Sequence, residues 1–328
     1  MTTSINSEMA YDITVLGSLS QNLTMTVDQF PLKGVEVHTE SATWLGSGFA
    51  FNVATAIASL GGRVAVISIL GKDLIGDMSI EQLKNMGVVV DYVVRREGIF
   101  SPLTMSLYDI TSKDNQAAGI EINNSAYSNL QSSDVCMDPI KSSRVLITDL
   151  VPISVSVEIA TNAHKYEIPI AFTLHKAQEI SSDPVYEKGI RKIYHLAKYC
   201  FTNEYNFIKW RRKDNLAAAI KDALHEHPGI ILVVTRGDKG SVIATTSEEI
   251  QIPRFQVEQV DDRENDDAYY GAFLYAHKGL GWNLKHSGVL ASAVSALSRR
   301  SINTQPNLPD LRTAISAIKK AGMKIDEI

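Results

Sequence analysis

Five of the seven residues from Asp261 to Asp267 are carboxylates, in the order Asp-Asp-Arg-Glu-Asn-Asp-Asp. They run into Ala268-Tyr269-Tyr270-Gly271-Ala272-Phe273-Leu274-Tyr275-Ala276, which has the apolar density of a packed helix. A helix N-terminus carries partial positive charge and unpaired N–H groups, the usual seat of a phosphate. Here the chain's own acids occupy that approach, and three kinds of chemistry compete for them. Helix capping stabilises by about 0.3–1 kcal/mol per acid, which accounts for one or two of them but not for five that repel one another. A divalent cation such as Mg²⁺ would be drawn to the oxygen-rich cluster, with Asp262, Glu264 and Asp266 as candidate ligands. In the third reading a single acid serves as a base and the others are solvated.

Two further segments combine small residues with hydrogen-bonding groups. Leu45-Gly46-Ser47-Gly48-Phe49-Ala50-Phe51-Asn52 places glycines just ahead of a helix. Backbone at Gly48 could approach a ligand closely, and Asn52 could bond a hydroxyl; a plain strand-to-helix turn is the alternative. Val233-Val234-Thr235-Arg236-Gly237-Asp238-Lys239-Gly240-Ser241 reads first as a hairpin turn. Its threonine and glycines could also offer a hydroxyl and N–H groups to phosphate oxygens. His175 follows a strand and has no evident carboxylate or nucleophile partner in the sequence, so a structural histidine is expected. Nothing resembles a Ser-His-Asp arrangement or a nucleophile elbow.

The elements that must position these residues alternate between short apolar runs and amphipathic stretches, the rhythm of a parallel sheet covered by helices. Strands are predicted over 12–16, 63–70, 144–150, 168–174, 199–202 and 230–235. Helices are predicted over 51–60, 80–86, 155–165, 184–198, 216–225, 268–278, 288–299 and 311–321. Glycines after Leu60 and Met86 suit left-handed helix ends. Two stretches, about 34–44 and 88–123, break the rhythm and read as antiparallel. They predict a small β-sheet lid over a site at the C-terminal strand ends. Residues 11–328 are read as one domain and 1–10 as a flexible tail.

Bulk properties narrow the function. A net charge of −5 and the lack of a basic stripe with interleaved aromatics argue against nucleic acid. The densest basic run, Trp210-Arg211-Arg212-Lys213, is read as a solvated helix face. No apolar run reaches the roughly 18 residues of a membrane span, and no apolar signal core opens the chain, so a cytoplasmic protein is expected. The two cysteines, Cys136 and Cys200, form no zinc or disulfide pattern and are expected to be buried thiols.

In order and spacing these segments resemble the ribokinase (PfkB) family of sugar and nucleoside kinases. Ile13-Thr14-Val15-Leu16-Gly17-Ser18 is similar to the family's first strand and turn, and Phe30-Pro31-Leu32-Lys33-Gly34 to its P-x-x-G turn. The segment through Asn52 to Gly62 resembles the first signature, and Gly71-Lys72-Asp73-Leu74-Ile75-Gly76 matches G-x-D-x-x-G. Val234-Thr235-Arg236-Gly237-Asp238-Lys239-Gly240 matches the nucleotide-side T-x-G-x-x-G. Asp267-Ala268-Tyr269, with Gly271, falls on the second signature. The resemblance implies a doubly wound α/β fold with a β lid, and ATP and Mg²⁺ as cofactors if the protein is active. It would make Asp267 the base that deprotonates the acceptor. It would set Asn203, Thr235, Gly237 and Gly240 on the nucleotide, and Asn22, Gly48 and Asn52 near the acceptor. It also raises the possibility of a homodimer built through the lid.

Several positions depart from the family pattern. The G-A-G that would form the anion hole is Glu264-Asn265-Asp266, and the preceding threonine positions hold Asp262 and Arg263. The family's N-x-x-E appears as Asn203-Glu204-Tyr205-Asn206, its sugar-gripping aspartate is matched by Asn22, and the first glycine of its GG pair by Ser47. Losing one oxyanion-type donor costs roughly 2.7–4 kcal/mol. A carboxylate about 5 Å from a phosphoryl charge adds about 3 kcal/mol at an effective dielectric near 20. Together these are worth on the order of 10⁴-fold in rate. The leading expectation is therefore a sugar- or nucleoside-binding protein with weak or lost phosphotransferase activity. An active kinase with a rebuilt anion site is second, and a mainly homodimeric structural or regulatory protein third.

Overall fold

Four consecutive buried residues, Ile13–Leu16, apolar except for Thr14, form β1, the strand around which the main sheet is built. It pairs in parallel with β4 (Val64–Gly71) on one side and β8 (Leu146–Thr148) on the other. Beyond β4 lies β5 (Val93–Arg96); beyond β8 come β9 (Ile170–Leu174), β10 (Tyr199–Asn203) and β11 (Ile231–Thr235), all parallel. An antiparallel hairpin, β12 (Ser241–Ala244) and β13 (Glu249–Ile252), closes that edge. The computed structural model describes residues 9–39, 41–109, 117–122, 124–175, 183–257, 266–298 and 308–323.

Strand residues alternate between two apolar layers, as the two-residue side-chain period requires. Tyr199, Phe201, Ile231 and Val233 face one core. That core is covered by α1 (Phe49–Ser59), α8 (Asp266–Leu274), α9 (Leu284–Leu297) and α10 (Leu311–Lys320). Cys200, Leu232 and Val234 face the other, under α4 (Ile153–Lys165), α5 (Pro184–Leu196), α6 (Glu204–Arg211) and α7 (Leu216–Glu226). Two further helices are α2 (Leu74–Asn85) and the single-turn α3 (Asp138–Lys141). The mainly parallel three-layer architecture agrees with the sequence reading, and Gly61 and Gly87 adopt the left-handed conformation expected after helix ends.

A second sheet of four strands projects from the first, in the order β3-β2-β6-β7. Its members are β2 (Ser20–Val27), β3 (Ser41–Ser47), β6 (Leu103–Asp109) and β7 (Ala117–Ile122). The lid is thus present, but its bounds differ from those expected. β2 lacks clean alternation and escapes a periodicity search, yet it is the central strand on which β3 and β6 pair. Residues 34–38 are irregular, and β5 belongs to the main sheet. Residues 110–116 of the second stretch lie outside the described residues, as do residues 1–8 of the expected tail.

Other expectations are corrected by burial. Trp210 is buried, and the Arg211 side chain is only 6% exposed, bonded to Asp222 and Glu226 of α7. The basic run is therefore a helix–helix contact at its start, with Arg212 alone strongly exposed. Cys200 is buried as expected, but Cys136 is exposed. Trp44 stands 38% exposed on the lid. Among the described residues, no helix is long and apolar enough to cross a membrane.

Candidate active site

Chain direction reverses its progress across the sheet at β1 and β8: strands run outward to β5 on one side and to β11 on the other. At such a switch point the loops leaving the C-terminal strand ends splay apart and leave a crevice. Ser18 follows β1, Asp149 follows β8 and His175 follows β9, so three polar side chains stand side by side at this opening. They line a cavity of about 710 Å³. Each lid strand contributes to the same cavity, through Ser20, Ser47, Thr104 and Glu121.

Asp149 holds the floor together. One of its oxygens accepts hydrogen bonds from the Ser18 N–H (3.0 Å) and hydroxyl (2.7 Å), and the other from the Val151 N–H (3.1 Å). Burial raises its pKa, opposed by these donors and by the nearby His175 imidazole. Ser18 also anchors the start of α1: its hydroxyl accepts from the Phe49 N–H, and its carbonyl from the Ala50 N–H. The chain enters α1 through Gly48 at φ 91°, where a Cβ would lie 2.6 Å from the Ser18 carbonyl oxygen. Glycine is required there by both conformation and space.

Asp267 reaches the cavity from the first turn of α8. A Cβ on Gly271 would stand 2.7 Å from the Val53 carbonyl, so this glycine lets α8 lie directly against α1. That approach brings Asn52 to Asp267: the amide Nδ2 donates to Oδ2 at 3.0 Å. The other oxygen, Oδ1, faces His175 Nε2 at 3.8 Å. The Asp267 side chain is 18% exposed, and burial pushes its carboxyl up to about 6, against the lowering effect of Asn52. A carboxylate near 6 is ionised at neutral pH yet basic enough to take a proton.

The nucleotide-side residues expected from sequence gather elsewhere. Thr235, Gly237 and Gly240 line a separate pocket with Arg254, Asp266 and Tyr269. Hairpin β11–β12 sets them there, confirming the turn reading. A threonine hydroxyl, glycine backbone and an arginine suit phosphate oxygens. Asp266 does not, unless a cation intervenes. The volume of about 50 Å³ among the described residues holds a few waters. Adjacent residues Asp266 and Asp267 therefore face two different pockets.

Not every expected residue joins these sites. Asn203 accepts from the Asn206 N–H and caps α6, at the end of the neighbouring strand β10. Asn22 lies in β2, where its Oδ1 accepts from the Ser106 hydroxyl, and is not among the cavity-lining residues. Asp262 and Glu264 lie outside the described residues, and among those described no cluster of three metal-ligating groups occurs. His175 and Asp149 were missed as site residues. His175 does have a carboxylate partner, contrary to expectation, but that partner is 92 positions away, and no local spacing reveals it.

A ligand cavity at the switch point of a parallel sheet, covered by a small second sheet and floored by a basic carboxylate, defines the ribokinase-like class of α/β proteins. The chain belongs to the pfkB family of carbohydrate kinases, whose model matches residues 10–311. It is 25% identical over 299 residues to a ribokinase of Bacillus subtilis, covering 91% of this chain and 96% of that protein. A nucleoside kinase of Methanocaldococcus jannaschii is also 25% identical, over 317 residues, with 94% and 97% covered. The crystal structure of that archaeal enzyme superposes with a TM-score of 0.79 at 22% identity, covering 95% of this chain and 99% of that one. A putative ribokinase II from E. coli in complex with ATP and Mg²⁺ superposes with a TM-score of 0.83 at 17% identity, covering 94% and 99%. These structural likenesses show the fold.

Proposed function

We propose that this protein is an ATP-dependent kinase of a sugar- or nucleoside-class acceptor, with Asp267 as the base. The observation that carries the reading is the asymmetry of that carboxylate. Asn52 holds Oδ2, which leaves Oδ1 directed toward the cavity, and burial keeps the group near 6. The hydroxyl-bearing residues Ser20, Ser47 and Thr104 are among those lining the same cavity, a composition that suits a polyhydroxy ligand. In this reading the acceptor hydroxyl gives its proton to Asp267 while its oxygen attacks the γ-phosphoryl group. Thr235, Gly237, Gly240 and Arg254 would hold the nucleotide phosphates. Mg²⁺, when bound, would neutralise phosphate charge. Asp266, which lines the nucleotide-side pocket, is a candidate ligand for it, as Asp262 and Glu264 are from sequence.

A second reading is supported by one specific feature. Asp266 brings negative charge into the nucleotide-side pocket, and Glu264 and Asn265 stand where relatives of this pattern carry neutral glycine and alanine. In that case the protein binds the acceptor but transfers phosphate slowly or not at all.

One assay separates the two. Wild type and Asp267→Asn are incubated with ATP, Mg²⁺ and a panel of pentoses, hexoses and nucleosides, and ADP release is measured. The kinase reading expects turnover in the range of about 1–100 s⁻¹, reduced at least about 10²-fold in the variant. Turnover no faster than that of the variant, with acceptor binding retained by calorimetry, supports the second reading.

A further inference from the structure

We infer that His175 is a second contact for the reacting hydroxyl, so that the acceptor oxygen is clamped between His175 Nε2 and Asp267 Oδ1. This rests on the kinase reading of the same cavity and adds a residue to it. The geometry points to the clamp through one distance. The two atoms are 3.8 Å apart, too far for a direct hydrogen bond. An oxygen about 2.8 Å from each closes a triangle whose angle at that oxygen is about 85°, without either side chain moving. A hydroxyl there donates its proton to the carboxylate and accepts from the imidazole N–H. Asn52 already occupies Oδ2, so the free oxygen of the base is the one that faces His175.

The imidazole is held for this role. Its ring meets the Phe49 ring edge-on, with centroids 6.0 Å apart. Nε2 lies 3.1 Å from the hydroxyl of Thr173, a fully buried residue of β9. With hydrogen on Nε2, Thr173 accepts it and shares it with a ligand oxygen that binds there. The ring is also 38% exposed, so it reaches the cavity rather than the core. Charged and titratable groups around the same cavity are Asp149 beyond β8, Asp267 of α8, Asp183 and Tyr186 at the start of α5, and Glu121 and Tyr127 on the lid side.

In the transfer step the acceptor O–H bond breaks and its proton passes to Asp267 Oδ1. The oxygen forms a bond to the γ-phosphorus, and the bond from that phosphorus to ADP breaks with its electron pair leaving on ADP. His175 keeps its proton throughout. It orients the oxygen lone pair and supports the developing negative charge. The role is thus one of contact and orientation, and its loss should be felt more in the transition state than in acceptor binding.

Two variants and one spectroscopic measurement test this. Gln can present its own Nε2–H near the position of the imidazole Nε2, whereas Ala cannot. With the panel compound that wild type turns over fastest, His175→Ala should lower kcat/KM by about 10–100-fold, mostly in kcat, and His175→Gln should recover a large part of it. Equal kinetics for wild type and Ala, or a Gln variant no better than Ala, would overturn the clamp. Nitrogen NMR of the imidazole in the ligand-free full chain reads the pair without catalysis. It should show the Nε2–H form at neutral pH, with resonances that move in Asp267→Asn. An Nδ1–H form, or resonances indifferent to Asp267, would also overturn it. If no panel compound is phosphorylated, the kinase reading falls, and the NMR result alone decides whether the His175–Asp267 pair exists as described.

Discussion

Asp267 illustrates how a single residue can be costly to the fold and useful to the site. Its pKa near 6, against an ordinary 3.8, means that the folded protein holds this proton more tightly than the unfolded chain does. Below about pH 3.8 the group is protonated in both states and contributes nothing. As pH rises toward 6 the unfolded chain ionises first, so stability falls; above 6 the loss is complete, at about 3 kcal/mol. Asp267→Asn removes the penalty. The variant should unfold at higher denaturant concentration than wild type at pH 7, and the difference should vanish near pH 4. Its phosphotransferase activity should be lost under the same conditions. If wild-type activity is measured against pH, kcat/KM should fall below a midpoint near 6 as the base becomes protonated. An acid limb well away from that value, or a variant less stable than wild type at neutral pH, would contradict the assignment of Asp267 as a buried, ionised base.

Between elements, the decisive contact is the approach of α8 to α1. Gly271 makes it possible, because any side chain there meets the Val53 carbonyl. The Asn52–Asp267 bond lies at the cavity end of the same helix pair, and Tyr270 anchors α8 to the sheet against Phe201, with ring centroids 4.9 Å apart. Gly271→Val should therefore do two things at once. Overpacking should cost about 1–3 kcal/mol of stability, measured by denaturant titration. Separation of the helices should also move Asp267 away from Asn52, lowering kcat more than the loss of stability explains. A variant that folds less stably but keeps full kcat would show that the base does not depend on this helix contact.

At the scale of the whole molecule, two pockets share the first turn of α8: Asp266 faces the one lined by Thr235 and Gly240, Asp267 the one beneath the lid. An acceptor or nucleotide present at a hundred times its Kd should stabilise the fold by about 2.7 kcal/mol. Given together they should exceed the sum of the separate effects, because each orders the same helix start. Thermal unfolding with adenosine, a non-hydrolysable ATP analogue and both together checks this; strict additivity would mean that the pockets are uncoupled. Much of this organisation was legible in the residues themselves. Runs such as Ile13–Leu16 and Ile231–Thr235, apolar except for one threonine each, suit buried strands, and the order of glycine-containing turns pointed to the family. Asp267, Asn52 and the Thr235–Gly240 turn stood out as candidates because their chemistry is local to a helix start or a strand end. β2 did not, because its role as the lid's central strand depends on partners 15–27 and 82 positions away rather than on its own alternation. Asn22 was expected at the acceptor, but the lid's pairing turns it to Ser106. Arg211 resembled a solvated charge until α7 supplied two carboxylates to bury it. His175 looked solitary because the carboxylate opposite it comes from another layer of the fold. The sequence alone determined the family and the parallel sheet, and it singled out Asp267 as the candidate base. Only the tertiary structure decided what faces that base, since neighbours across a switch point are set by strand order and not by distance along the chain.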